Sequence, residues 1–254
     1  TLLDWEKSEG LHYPNWLAQK IFSLSNNKKV IKSLPKSVLS IVIPCLNEKN
    51  KIGKVLKKIQ ELKIKNSDLV LDIIIVDGGS TDGSIKIIKK FKQFKFYKLK
   101  NVGKGEAIKL GINKSKGDII SFFPSDDEYK VEDIEKVITP IILNQSKAVY
   151  GSRMIKSIAL SQELQKIYKN NKTNLLLSKY GGKLINLFLF AFHEISISDP
   201  FTSIKAFDSK LLKSLSLNRK GFDLEFEILT KLKKRKCFFL EVPVSFKPRS
   251  SKDG

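Results

Sequence analysis

Cysteine and histidine are scarce in this 254-residue chain, with two of each. Cys45 and Cys237 lie far apart, each flanked by strand-like apolar residues, so neither a disulfide framework nor a zinc site is indicated. A reducing, cytoplasmic compartment fits that usage. His12 and His193 make no better ligand pair, and His193, just after an apolar run, reads as a cap or surface residue. Long hydrophobic runs are also missing: the longest, Leu184 to Phe192, falls short of the ~20 residues that span a bilayer, and no signal peptide is visible. Work at a membrane would therefore be done from its surface. Negative charge is in short supply, with 26 Asp and Glu against 47 Lys and Arg, for a net charge of +21. That excess favours polyanions: nucleic acid, anionic headgroups or phosphorylated substrates. Much of it, as at Lys57, Lys58, Lys63, Lys65, Lys89 and Lys90, is interspersed with Ile and Asn and describes solvated helix faces equally well. No aromatic-basic motif or helix-turn-helix spacing supports a nucleic-acid partner.

What is present is a foldable α/β pattern, since 41% hydrophobic residues suffice for one large domain or two small ones. Residues 1–37, with Trp5, Tyr13, Pro14 and Trp16, read as an N-terminal extension that docks on the domain or on a partner. Thr1 in place of Met and a polar end at Gly254 suggest a segment of a longer polypeptide, and membrane helices could be among its missing neighbours. From Val38 the order is regular. Strands are expected at Val38 to Pro44, Leu69 to Val76, Phe96 to Leu99 and Asp118 to Phe123, then up to Gly151-Ser-Arg153, from the Asp199 turn to Phe207, and from Cys237 to Phe246. Helices are expected at Ile52 to Leu62, Ser84 to Phe91, up to Asn113, at Val131 to Leu143, Lys179 to Phe192 and Asp223 to Lys234. Strand and helix in alternation imply a mostly parallel sheet with right-handed crossovers, binding its ligand beyond the carboxyl ends of the strands.

Three clusters fall at those ends: Asp77-Gly-Gly-Ser-Thr-Asp82, Asn101-Val-Gly-Lys-Gly105 and Pro124-Ser-Asp-Asp-Glu128. Asp77 to Asp82 equally fits a helix cap. The glycines of 101–105 lack the spacing of a P-loop or dinucleotide fingerprint and fit an ordinary loop as well. Asp126, Asp127 and Glu128 offer carboxylate oxygens of the kind a hard cation shares with substrate phosphates; a solvated acidic turn is the plainer reading. Together the clusters propose a ligand carrying phosphates, a base or ribose, and a divalent cation.

With Ile43-Pro-Cys-Leu-Asn-Glu48, Gly117-Asp118, Gly151-Ser-Arg153, Asp199-Pro-Phe-Thr-Ser203 and Glu241-Val-Pro243 through Arg249, these segments resemble family 2 of the inverting glycosyltransferases over about residues 38 to 250. The last three are most similar to dolichyl-phosphate mannose synthase and its bacterial polyprenyl-phosphate relatives. The resemblance implies a GT-A α/β fold over residues 38–254 and Mg²⁺ or Mn²⁺ as cofactor. It also implies transfer of a hexose from a UDP- or GDP-sugar to a polyprenyl phosphate at the inner face of an anionic membrane. It assigns Pro44, Leu46, Glu48, Asp77, Lys104, Ser125 and Asp126 to the donor, Asp126 and Glu128 to the metal, and Ser203 and Arg249 to the acceptor or its phosphate. Arg153 would grip a phosphate, for which its fork suits better than an ammonium. The chain departs from the family pattern at Gly78, where a second Asp is usual, and at Pro124, where the metal motif has its first carboxylate. A phosphate acceptor is already an anion and needs no strong base; a sugar hydroxyl would need Asp199, Asp223 or Glu225 to take its proton. The alternatives are a hydroxyl-accepting transferase of surface polysaccharide synthesis and a noncatalytic nucleotide-sugar-binding module.

Overall fold

The computed structural model describes residues 38–64, 69–155, 187 and 189–248. The N-terminal extension, most of the 179–192 helix and Arg249 lie outside them. In chain order the elements are β1 (Val38–Cys45), α1 (Ile52–Gln60), β2 (Val70–Asp77), α2 (Ser84–Ile88), β3 (Lys95–Lys98), α3 (Lys104–Lys114), β4 (Ile119–Phe122), α4 (Asp133–Ile142), β5 (Ala148–Ser152), β6 (Lys205–Asp208), α5 (Ser209–Ser214), α6 (Leu224–Lys234) and β7 (Leu240–Pro243).

The strands form one seven-stranded sheet in the order β3-β2-β1-β4-β6-β5-β7. β1 pairs in parallel with β2 and β4, β2 with β3, and β5 with β7, while β6 runs antiparallel between β4 and β5. The sheet is thus mostly parallel, as its βα alternation requires, and β6 alone is reversed. That reversal matters for the site: the start of β6, at Lys205, lies at the same edge as the ends of its neighbours.

The central strands are apolar because both faces are covered. Leu39, Ile41 and Ile43 of β1 pack with Ile52, Val55, Leu56 and Ile59 of α1 and with Ile134, Val137 and Ile138 of α4. Val42, on the other face, joins Ile108 and Ile112 of α3, Leu212 of α5 and Leu224, Ile228 and Leu232 of α6. Each fully buried Ile or Leu contributes about 1.5–3 kcal/mol, so the two layers dominate the stability of the sheet.

Three expectations shift. α2 stops at Ile88, short of Phe91, and strand pairing in β7 is confined to Leu240–Pro243 rather than running from Cys237 to Phe246. α5 had no recognised signal; Asp208 caps it by accepting from the Leu211 N–H at 2.8 Å. Residues 187 and 189–193 are helical. Leu189 there is buried, whereas Leu187, Phe190 and Phe192 are 62%, 61% and 72% exposed, so this face is not core. Among the described residues no helix is long and apolar enough to cross a membrane.

Candidate active site

Side by side at one edge of the sheet, Cys45 ends β1 and Asp77 ends β2. Gly78 N–H donates to the Cys45 carbonyl at 2.8 Å, and Val102 N–H to the Gly78 carbonyl at 3.0 Å, so the loops after β1, β2 and β3 are laced through this glycine. A Cβ at Gly78 would sit 3.2 Å from the Val102 oxygen, leaving little room for the aspartate usual there. Asp77 is fully buried. Its Oδ2 accepts from the N–H groups of Gly79 and Ser80, both at 2.9 Å. Its Oδ1 is buried with no partner among the described residues. Gly79 adopts φ +110, and a Cβ there would lie 2.6 Å from Asn101 N, so the turn admits only glycine.

The rest of the Asp77–Asp82 run ties down the first loop. Asn47 N–H donates to Ser80 Oγ, Glu48 N–H to Ser84 Oγ and Lys49 N–H to Asp82 Oδ2, at 2.8 to 2.9 Å. Pro44 and Glu48 are half-buried, and Leu46 is half exposed. Burial, and then the Asp77 charge, push the Cys45 thiol up to about 12, with Ser125 hydrogen-bonded to it. Burial therefore keeps Cys45 as a thiol rather than a nucleophilic thiolate.

Beyond β4 the acidic turn divides. Asp127, at φ +58, is held by Lys54 and Lys58 of α1, each at 2.6 Å. Burial works to raise this carboxyl, but the two ammoniums outweigh it and hold it below the usual carboxylate range. Asp126 stays on the sheet edge and accepts from the Glu128 N–H at 3.2 Å. Among the described residues no three His, Cys, Asp or Glu side chains gather as a metal-holding group.

On the far side of the sheet the site is made of ion pairs. Arg153, just past β5, grips Asp199 through Nε at 2.6 Å and Nη2 at 2.7 Å, and its own N–H meets Oδ2 at 3.1 Å. Its guanidinium stacks 4.9 Å from the Phe246 ring. Burial alone would weaken this cation, yet the Asp199 carboxylate raises its affinity for the proton further. Tyr129 packs beside the pair, its hydroxyl pushed up to about 12 by burial and accepting from the Ser203 N–H at 3.3 Å. Lys104 begins α3 and reaches Ser203 Oγ and Glu225 Oε1, each at 3.5 Å. Glu225, on α6, is locked to the fully buried Lys205. Burial presses the Lys205 ammonium below its usual value, and the Glu225 charge opposes this. The glycine-rich segment around Lys104 packs against Lys220: the Glu106 N–H is taken at 3.1 Å by the Lys220 carbonyl, and a Cβ at Gly105 would lie 2.6 Å from the Lys220 carbonyl carbon.

The family model for glycosyl transferase family 2 matches residues 40–195, more than half of the chain. The chain belongs to that family. It is 29% identical over 229 residues to a UDP-N-acetylglucosamine–dolichyl-phosphate N-acetylglucosaminyltransferase of Methanococcus voltae, covering 82% of this chain and 84% of the relative. It is 27% identical over 228 residues to the dolichyl-phosphate beta-glucosyltransferase of Saccharomyces cerevisiae, covering 82% and 66%. Among solved structures, mannosyl-3-phosphoglycerate synthase from Rubrobacter xylanophilus superposes with a TM-score of 0.61 at 18% identity, over 90% of this chain and 72% of that one. Glucosyl-3-phosphoglycerate synthase of Mycobacterium tuberculosis, in complex with Mg²⁺ and uridine diphosphate, matches with a TM-score of 0.55 at 18% identity, over 96% and 80%. The GT-A fold expected from the sequence is thus the one found.

In this family 2 glycosyltransferase, the residues singled out from sequence fall into two groups. Pro44, Leu46, Glu48, Asp77, Ser125 and Asp126 line the β1–β2–β4 end, whereas Lys104, Arg153, Asp199, Ser203 and Glu225 meet at the β5–β6 end. Asp223 joins neither: its side chain is 54% exposed and 3.8 Å from Arg219. Sequence reasoning missed Lys205, Tyr129 and the role of Glu241. A lone lysine inside Ile204-Lys-Ala-Phe207 was a readable signal of a buried ion pair; Tyr129 had none.

Proposed function

We propose that this glycosyltransferase moves a hexose, with inversion, from a UDP- or GDP-sugar to a polyprenyl phosphate. The observation that carries the reading is the Arg153 fork, fixed by Asp199 at the sheet edge that also holds Asp77 and Asp126. The unpartnered Oδ1 of Asp77 suits an N–H of the donor base, with Glu48, Pro44 and Leu46 around the nucleoside. Asp126 and Glu128 are hard carboxylate donors two residues apart, and with diphosphate oxygens and water they fit an octahedral Mg²⁺ or Mn²⁺ without a carboxylate at Pro124. Such an ion would neutralise charge on the leaving diphosphate. Arg153, whose Nε and Nη2 are committed to Asp199, would offer its remaining N–H groups to the same diphosphate, preorganised by that bidentate partner. Lys104 is proposed to approach the donor, and Ser203 and Arg249 to hold the acceptor or its phosphate.

A phosphate acceptor also agrees with the state of the carboxylates. Asp199 is neutralised by Arg153 and Glu225 by Lys205 and Lys104, so neither is placed as the base that a hydroxyl acceptor requires. Exposed Leu187, Phe190 and Phe192, with the basic surface, are proposed to rest on an anionic membrane. Residues 38–254 are proposed as the catalytic domain and 1–37 as an extension that docks on it or on a partner. The test is release of nucleoside diphosphate from a panel of UDP- and GDP-sugars with Mg²⁺ or Mn²⁺, with and without a short polyprenyl phosphate, in wild type and Asp126→Ala. Release that needs the lipid phosphate and vanishes in the variant is expected. Equal release without it, or with a saccharide in its place, overturns the acceptor assignment. Nucleotide binding without turnover of any donor points to a binding module.

A further inference from the structure

We infer that Glu241 is a positioning residue that sets the Arg153–Asp199 fork from beneath, an inference that rests on the proposed role of Arg153 at the donor diphosphate. Glu241 lies on β7 opposite Tyr150 and is 3% exposed. Its Oε1 accepts from Ser198 N–H at 3.0 Å, Ser198 Oγ at 2.7 Å and Asp199 N–H at 3.2 Å, and Oε2 accepts from Ser198 N–H at 2.9 Å. Residues 198 and 199 belong to no strand, so their N–H groups have no ladder to join, and this carboxylate serves as their acceptor. Both members of the fork are thereby tied to one group. Asp199 is held through its own main chain. Arg153 is held through its neighbour, because Ser198 Oγ shares a 2.6 Å hydrogen bond with Ser152 Oγ, which in turn accepts from Met154 N–H at 3.2 Å. Burial pushes the Glu241 carboxyl up to about 7, against the hydrogen bonds from Ser198 and Asp199.

The chain has four arginines, Arg153, Arg219, Arg235 and Arg249, so side-chain Nε–Hε resonances of ¹⁵N-arginine protein are few, and Arg153→Lys assigns the one of interest. Wild type, Glu241→Met, Glu241→Gln and Arg153→Ala are compared by this signal and by turnover of whichever of UDP-glucose, UDP-N-acetylglucosamine or GDP-mannose the wild type uses. Glu241→Met keeps the volume and removes both acceptors. It is expected to speed hydrogen exchange at Arg153 Nε at least about tenfold and to lower kcat about fiftyfold with donor KM nearly unchanged, the pattern of a group acting in the transition state. Glu241→Gln, which retains one acceptor oxygen, is expected to recover most of both. Should Glu241→Met lose its cooperative melt, Glu241→Gln carries the test alone, with a smaller change of the same sign. An Arg153 Nε–H as protected as in wild type, with kcat unaltered, overturns the inference. Full turnover in Arg153→Ala instead overturns the role of Arg153 in transfer, and the exchange data still decide whether Glu241 holds the fork.

Discussion

The half of the site proposed for the donor, at the ends of β1, β2 and β4, is tied together largely by main-chain N–H groups bonding to carbonyls, hydroxyls and carboxylates. The half around β5, β6, β7 and α6 is built from charged side chains paired across the chain, Arg153 with Asp199 and Lys205 with Glu225, with the buried carboxyl of Glu241 bonded to Ser198 and Asp199. The first kind of construction tolerates the loss of a single side-chain tie, because each such tie is one of several. The second concentrates its geometry in a few side chains, where losing one strands its partner.

The widest gap between the halves should appear at Lys205. Lys205→Met leaves Glu225 buried with only Lys104 at 3.5 Å, and denaturant unfolding is expected to show a loss of ~3–5 kcal/mol. Adding Glu225→Leu should restore most of it, and if the double variant is no more stable than the single one, the pair does not account for the loss. At Glu241 the same half should respond to pH. Its folded carboxyl is raised from 4.5 to about 7, so the stability it contributes is full below about 4.5 and lost as pH rises through 7. The stability of Glu241→Gln minus that of wild type should therefore rise by about 3 kcal/mol from pH 4.5 to 8, and a flat difference would refute the shift. Arg153→Lys, which cannot make the bidentate contact, should lower kcat/KM about a hundredfold, ~2.7 kcal/mol, with little change in melting.

The donor half should respond less. Asp82→Ala removes the acceptor for Lys49 N–H and Ser84 N–H and should cost ~1 kcal/mol, with donor KM rising only a few-fold. Smallest of all, Lys54→Ala leaves Asp127 its bond to Lys58 and should change stability by less than ~1 kcal/mol, since Lys54 is 65% exposed. A loss there as large as at Lys205 would erase the contrast.

The same contrast governs what could be read in advance. The donor loops are contiguous in sequence: Ile43 to Glu48, Asp77 to Asp82 and Pro124 to Glu128 each follow a strand whose apolar run announces it, so their residues were named at once. Asp127 was named among the carboxylates a cation could use, but nothing local tells that Lys54 and Lys58, about seventy residues earlier, would claim it. Asp199 and Glu225 read as bases open to a hydroxyl acceptor for the same reason. Their partners, Arg153 and Lys205, lie 46 and 20 residues away. Gly78 read as a missing carboxylate, and the Val102 carbonyl that crowds it became visible only in the fold.

By itself, then, the sequence determined the alternation of strands and helices, the two-layered core and the loops that end the parallel strands, because periodicity and turn chemistry act over a few residues. Tertiary structure alone decided that β6 reverses between β4 and β5. That reversal brings Lys205 to the edge where the neighbouring strands end, and there it pairs with Glu225, which Lys104 also reaches. Such pairings depend on strand order, and strand order follows from how the whole apolar surface is buried at once rather than from any local run of residues.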